Sequence, residues 1–234
     1  MSEKLVVMPS NNTGAVVRDL ADRFPGRLAH LISPGGWRQP LLPYALDNGA
    51  FGAFIKQQPF DGEAFLGLLD KARIHEQLYL DKLPGRKTPM WVAVPDVVQD
   101  AKATLASWDE WVPKLKPYGW PLAFVVQDGM KPEDVPGKAD VVFVGGSVEW
   151  KWATVSRWAG YFDRVHVGRV NSPARLEELE DMGVESCDGT GWFRGDQDQL
   201  NGLIAFLAGK RKQRQMTLFE CYPDEDLWAK EAPF

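Results

Sequence analysis

Eight short apolar runs, alternating with stretches of helical periodicity, constrain this chain more than any other feature. The runs cover residues 5–8, 28–32, 44–46, 90–94, 122–126, 141–144, 165–167 and 184–187. Between most of them, apolar residues recur at helical spacing over 14–24, 60–76, 101–116, 149–161, 173–182 and 196–208. A strand–helix alternation implies a parallel sheet, and eight repeats predict a (β/α)8 TIM barrel. The chain has 234 residues, near the ~250 typical of that architecture. One barrel domain is expected over 1–212, with 213–234 as an appended arm. Ser172 and Pro173 read as an N-cap followed by a first-turn proline, and Gly183 closes the same helix. The connections after the second and fifth runs are too short for full helices, so the barrel should be irregular there.

The balance of 44% hydrophobic and 25% charged residues suits a soluble domain with a full core. No apolar run approaches the roughly 18 residues a membrane span requires, which points to a cytoplasmic protein with no membrane partner. The two cysteines, Cys187 and Cys221, are too few for a disulfide framework or a cysteine-based zinc site, and neither metal nor cofactor is expected. A net charge of -5 gives no global attraction to a polyanion, so any nucleic acid must be held locally. Lys210, Arg211, Lys212 and Arg214 form the candidate patch, with Arg169 and Arg194 as further phosphate contacts.

A closed parallel barrel carries its active site at the C-terminal ends of its strands. Residues just beyond each apolar run are therefore the place to look. They are Ser10-Asn11-Asn12, Asp47-Asn48-Gly49-Ala50-Phe51, Pro95-Asp96, Gln127-Asp128-Gly129, Gly145-Gly146-Ser147, Gly168-Arg169 and Asp188-Gly189-Thr190-Gly191. Any one of them is ordinary turn chemistry, but together they bring carboxylates and an amide to one mouth. Paired carboxylates suit glycosidic chemistry, because one attacks the anomeric carbon while the other exchanges a proton with the leaving group. Asp47 and Asp188 are the candidates. Asp96 can accept from donors such as a purine N1 and N2, and the Gln127 amide can donate to a carbonyl. The Gly145-Gly146 turn is expected to leave backbone N–H groups facing that carbonyl, with Phe51 stacked on the base. Asn48 and Gly168 belong with these base-binding positions. Thr190 and Trp192 are the nearest candidates to sense a sugar 2′-hydroxyl.

In that order the motifs resemble the tRNA-guanine transglycosylase superfamily. Its barrel carries an Asp-Ser-Gly-Gly-Phe loop, a base-reading Asp, a Gln, a Gly-Gly turn and a nucleophilic Asp. The resemblance spans roughly residues 44 to 193 and includes His166-Val167-Gly168 ahead of Asp188. It implies that Asp188 attacks C1′, that Asp47 is the general acid and base, and that Asp96, Gln127 and the Gly145-Gly146 backbone read the base. Asn48 and Ala50 depart from the usual Ser and Gly. The tRNA-acting members also carry a Cys-x-Cys-x-x-Cys plus His zinc module that these residues lack. The likeness is therefore greatest to the DpdA-type DNA 7-deazaguanine transglycosylases. It implies DNA and a 7-deazaguanine base as partners, guanine being exchanged by double displacement. The alternatives are a tRNA-guanine transglycosylase, a nucleoside N-glycosidase using the same carboxylates, or a catalytically silent nucleic-acid-binding barrel.

Overall fold

A computed structural model describes residues 4–79 and 88–210. The arm expected over 213–234 lies outside the described residues, as do Arg211, Lys212 and Arg214. The strands are β1 Val6–Met8, β2 His30–Ile32, β3 Tyr44–Leu46, β4 Val92–Ala93, β5 Leu122–Val126, β6 Val141–Val144, β7 Val165–Val167 and β8 Ser186–Asp188. All pair in parallel in the order β1-β8-β7-β6-β5-β4-β3-β2. The ends of that order meet through the bridges Val7–Leu28 and Ser10–Leu31, which close the sheet into a (β/α)8 TIM barrel.

The helices are α1 Ala15–Arg23, α2 Ala50–Ile55, α3 Gly62–Leu78, α4 Ala101–Leu115, α5 Val148–Tyr161, α6 Pro173–Asp181 and α7 Gln197–Leu207. No helix follows β2, and only a 3-10 turn, Pro132–Asp134, follows β5, as the short spacings imply. Residues 50–55, where the sequence reading placed no helix, form the short helix α2. Its start is local chemistry: Gly49 takes φ +86°, and the Asn48 side-chain oxygen accepts from Ala50 N at 2.7 Å. Helix α6 begins at Pro173 after Ser172, and Gly183 takes φ +76° just past its end, so both boundaries follow the sequence signals, although the Ser172 side chain makes no capping hydrogen bond. Among the described residues no helix is long and apolar enough to cross a membrane.

Alternation along the strands sorts side chains between two cores. Val7, Leu46, Phe124, Val126, Val144, Val167 and Cys187 face outward, where Phe65, Leu69, Trp158, Leu176 and Leu203 from the helices cover them. Met8, Leu31, Ala45, Ala93, Ala123, Val125 and Phe143 face inward with Trp91. The inward alanines make room for Trp91 and Phe143, whose rings meet edge-on at 5.8 Å. Burying each large apolar side chain contributes about 1.5–3 kcal/mol. The interior is thus plugged from below, and the next inward positions up each strand form the floor and walls of a pocket.

Candidate active site

The period of two that lines the barrel continues into the mouth. Two residues beyond Met8, Ala45, Val125, Phe143, His166 and Ser186 stand Ser10, Asp47, Gln127, Gly145, Gly168 and Asp188. All six line one cavity of about 260 Å³, together with Asn48, Phe51, Asp96, Gly146, Arg169, Thr190 and Arg194. Each residue expected to catalyse or bind the base is therefore brought to a single site. Asp188 belongs to β8 itself and is 8% exposed, whereas the sequence places it just past the strand.

The two oxygens of Asp188 have different surroundings. Oδ1 accepts from Arg169 N at 3.1 Å and faces His166 Nε2 at 3.2 Å, while among the described residues Oδ2 has the Ser10 hydroxyl alone, at 3.4 Å. His166 is fully buried, and its Nδ1 lies 2.9 Å from Ser186 Oγ. In the tautomer that donates from Nε2 to the carboxylate, the serine hydroxyl donates to Nδ1. Trp91 and Phe143 hold the imidazole with ring centroids at 4.7 and 4.5 Å. Asp188 is thus anchored through Oδ1, and Oδ2 is the less engaged of its two oxygens.

Asp47 faces it under different conditions. Burial, with the neighbouring charges of Asp188 and Asp96, pushes its carboxyl up to about 7, against the backbone N–H groups of Gly49 and Asn48. Near neutral pH it exists in both forms, which suits a group that must give and take a proton.

The expected base readers form a bonded network. Asn48 donates to Val94 O at 2.9 Å and to Asp96 Oδ1 at 2.8 Å, and Gln127 Nε2 donates to Asp96 Oδ2 at 2.7 Å. The other end of the Gln127 amide accepts from Gln99 N at 2.9 Å. Asn48 therefore supports Asp96 and has no amide hydrogen left for a base. Asp96 keeps lone pairs on both oxygens, and burial raises its carboxyl to about 6 despite these donors.

Two expectations need correction. The Gly145 N–H does not face the cavity, because it donates to Val126 O at 3.1 Å as the sheet ladder runs on past β6. Among the described residues the Gly146 N–H has no bonded partner. At φ +66° and with Asp128 and Trp150 against its α-carbon, position 146 requires glycine. Trp192 cannot sense a sugar hydroxyl, since it is fully buried in the outer core; Thr190 does line the cavity.

The cations are divided. Arg169 takes φ +59°, donates from its guanidinium to Gly146 O, and lies over the Phe51 ring at 4.3 Å. One face of Phe51 is thereby covered within the protein. Arg194 is exposed on the rim. Lys210 is exposed beyond the end of α7, which runs back from the rim for 11 residues, about 16 Å. That places Lys210 at the opposite end of the barrel from the cavity, so it cannot share a nucleotide with Asp188.

The sequence reading cited His166 only within the resemblance, with no role of its own, and passed over Lys151. His166 carries a usable signal, a histidine at an inward position two residues before Gly168. Lys151 carries none, because a lysine in a helix normally reads as solvent-facing.

Among known proteins, no family model and no curated sequence matches this chain. One chain of the tryptophan synthase complex from Pyrococcus furiosus superposes with a TM-score of 0.51 at 11% identity, covering 89% of this chain and 98% of that one. The 3-hexulose-6-phosphate synthase from Salmonella typhimurium gives a TM-score of 0.48 at 11% identity, covering 89% and 100%. Likeness at the level of the first concerns the fold alone, a TIM barrel.

Proposed function

We propose that this protein is a transglycosylase that exchanges guanine in DNA for a 7-deazaguanine base. One observation carries the reading: a carboxyl held near 7, Asp47, shares a cavity with a carboxylate anchored through one oxygen and open at the other, Asp188. In the first half-reaction Asp188 Oδ2 attacks C1′. The C1′–N9 bond breaks, its electron pair leaves with the purine, and Asp47 supplies a proton to it. In the second half the N9 of the incoming base attacks C1′, the C1′–Oδ2 bond breaks, and Asp47 takes the N9 proton. Asp96 and the Gly146 N–H supply an acceptor and a donor for the base edge. The choice of DNA follows the family resemblance, whose tRNA-acting branch carries a zinc module these residues lack.

Asp188→Asn is nearly isosteric and should abolish exchange while leaving the fold intact. The test is to incubate the protein with labelled guanine or a 7-deazaguanine and either duplex DNA or unmodified tRNA, then analyse the nucleosides by mass spectrometry. Label is expected in DNA, with a covalent complex on denaturing gels from wild type only. Equal label in tRNA would replace DNA as the polymer. Base release without incorporation would make the protein an N-glycosidase, and a covalent band from Asp188→Asn would remove Asp188 as nucleophile.

A further inference from the structure

We propose that Lys151 is a positioning residue for Asp188, acting through the peptide group that joins Gly168 to Arg169. Lys151 projects from α5, is 1% exposed, and donates from Nζ to the Gly168 carbonyl oxygen at 2.5 Å. The nitrogen of that same peptide group, Arg169 N, donates to Asp188 Oδ1 at 3.1 Å. An ammonium on the carbonyl side draws electron density across the amide and makes its N–H a stronger donor. A buried ammonium is costly when it lacks a partner, and here the partner is a carbonyl one peptide away from the proposed nucleophile.

The connecting peptide is held from several sides. The Arg169 side chain is fixed by Gly146 O and the Phe51 ring. A side chain at Gly168 would come within 2.7 Å of Phe143 and 3.4 Å of Asp188 Oδ1. The charged and titratable groups that act on Lys151 are Arg169, Asp188 and Cys187. Burial and then Arg169 lower its ammonium to about 8, opposed by Asp188 and Cys187. The cation is therefore present below about pH 8 and lost above it.

The consequence rests on the double displacement proposed above. When the incoming base attacks C1′, the C1′–Oδ2 electron pair returns to Asp188, and the polarised Arg169 N–H stabilises the carboxylate as it reforms. Lys151 thus favours release of the sugar from the enzyme.

The test uses the full chain and amide proton–nitrogen NMR spectra. In wild type the Arg169 amide resonance should move with a midpoint near pH 8. Lys151→Gln keeps a donor for the Gly168 carbonyl but removes the charge, so the movement should vanish while the fold survives. With substrate, Lys151→Gln should accumulate the covalent sugar–enzyme complex, its resolution slowed roughly tenfold. An Arg169 amide with no alkaline titration that Lys151→Gln removes overturns the proposal. So does the same titration persisting in Lys151→Gln. The spectra require no substrate: amide titration without base exchange keeps the relay and rejects the transglycosylase reading.

Discussion

Asp47 makes the site sensitive to pH in stability as well as in rate. Its folded-state carboxyl titrates near 7, above its ordinary value of 3.8, so the folded protein binds the proton more tightly than the unfolded chain does. The associated stability is complete below about pH 4 and is lost as pH rises toward 7. Asp47→Asn should therefore raise stability at pH 8, by roughly 1–2 kcal/mol after allowance for coupling among the three carboxylates. Urea unfolding at pH 5 and pH 8 checks this; a variant equally destabilised at both would show that Asp47 carries no strain. On the proposed reading, the same proton gives base departure in wild type an alkaline limb near pH 7, to be seen in single-turnover rates of guanine release. Asp47 and Asp188 were legible as mouth residues because each directly follows an apolar run. The bonding of Asn48, Asp96 and Gln127 to one another was not, since it depends on side-chain rotamers that no sequence pattern specifies.

At the level of elements, the eight strands were legible from apolar runs, and their ends shifted by a residue or two where ladder bonds extend or stop. The position of Asp188 within β8 and the Gly145 N–H bonded to the ladder are both consequences of such shifts. Helix α2 was missed because six residues give too little periodicity and its start depends on one side-chain oxygen. The junction between β5 and α5 is fastened by Asp128, which accepts from Ser147 N at 2.7 Å and from Ser147 Oγ at 2.5 Å. Ser147 in turn caps α5, accepting from Trp150 N. Asp128→Ala leaves both donors unpaired and should cost about 1–3 kcal/mol in urea unfolding. It should also weaken retention of free guanine by loosening the Gly145-Gly146 turn. A variant with wild-type stability would mean that the turn is held by its glycines alone.

For the molecule as a whole, the cavity of about 260 Å³ sits inside the ring of strand ends, and on the proposed reading a guanine paired within a duplex would not reach it. The target must leave the stack, which costs a few kcal/mol. Guanine in a mismatch or a single strand should react at least as fast as paired guanine, and a strict requirement for perfect duplex would contradict the pocket geometry. Of the expected phosphate contacts that are described, Arg169 is tied to Gly146 and Lys210 lies at the far end, which leaves Arg194 on the rim. Arg194→Ala should reduce the slope of log affinity against log salt by about one, without altering base preference.

The join between β1 and β2 has its own bearing on this molecule. Ala29 N to Val7 O is 3.2 Å and Leu31 N to Pro9 O is 3.4 Å, longer than the 2.9 Å typical of a good N–H···O bond. No helix connects β2 to β3. Deuterium should therefore enter at Ala29 and Leu31 well before it reaches β5 and β6. Ser10, whose hydroxyl points at Asp188, stands on the same line of closure. Isotope uptake along that line would then report how often the barrel breathes beside Asp188.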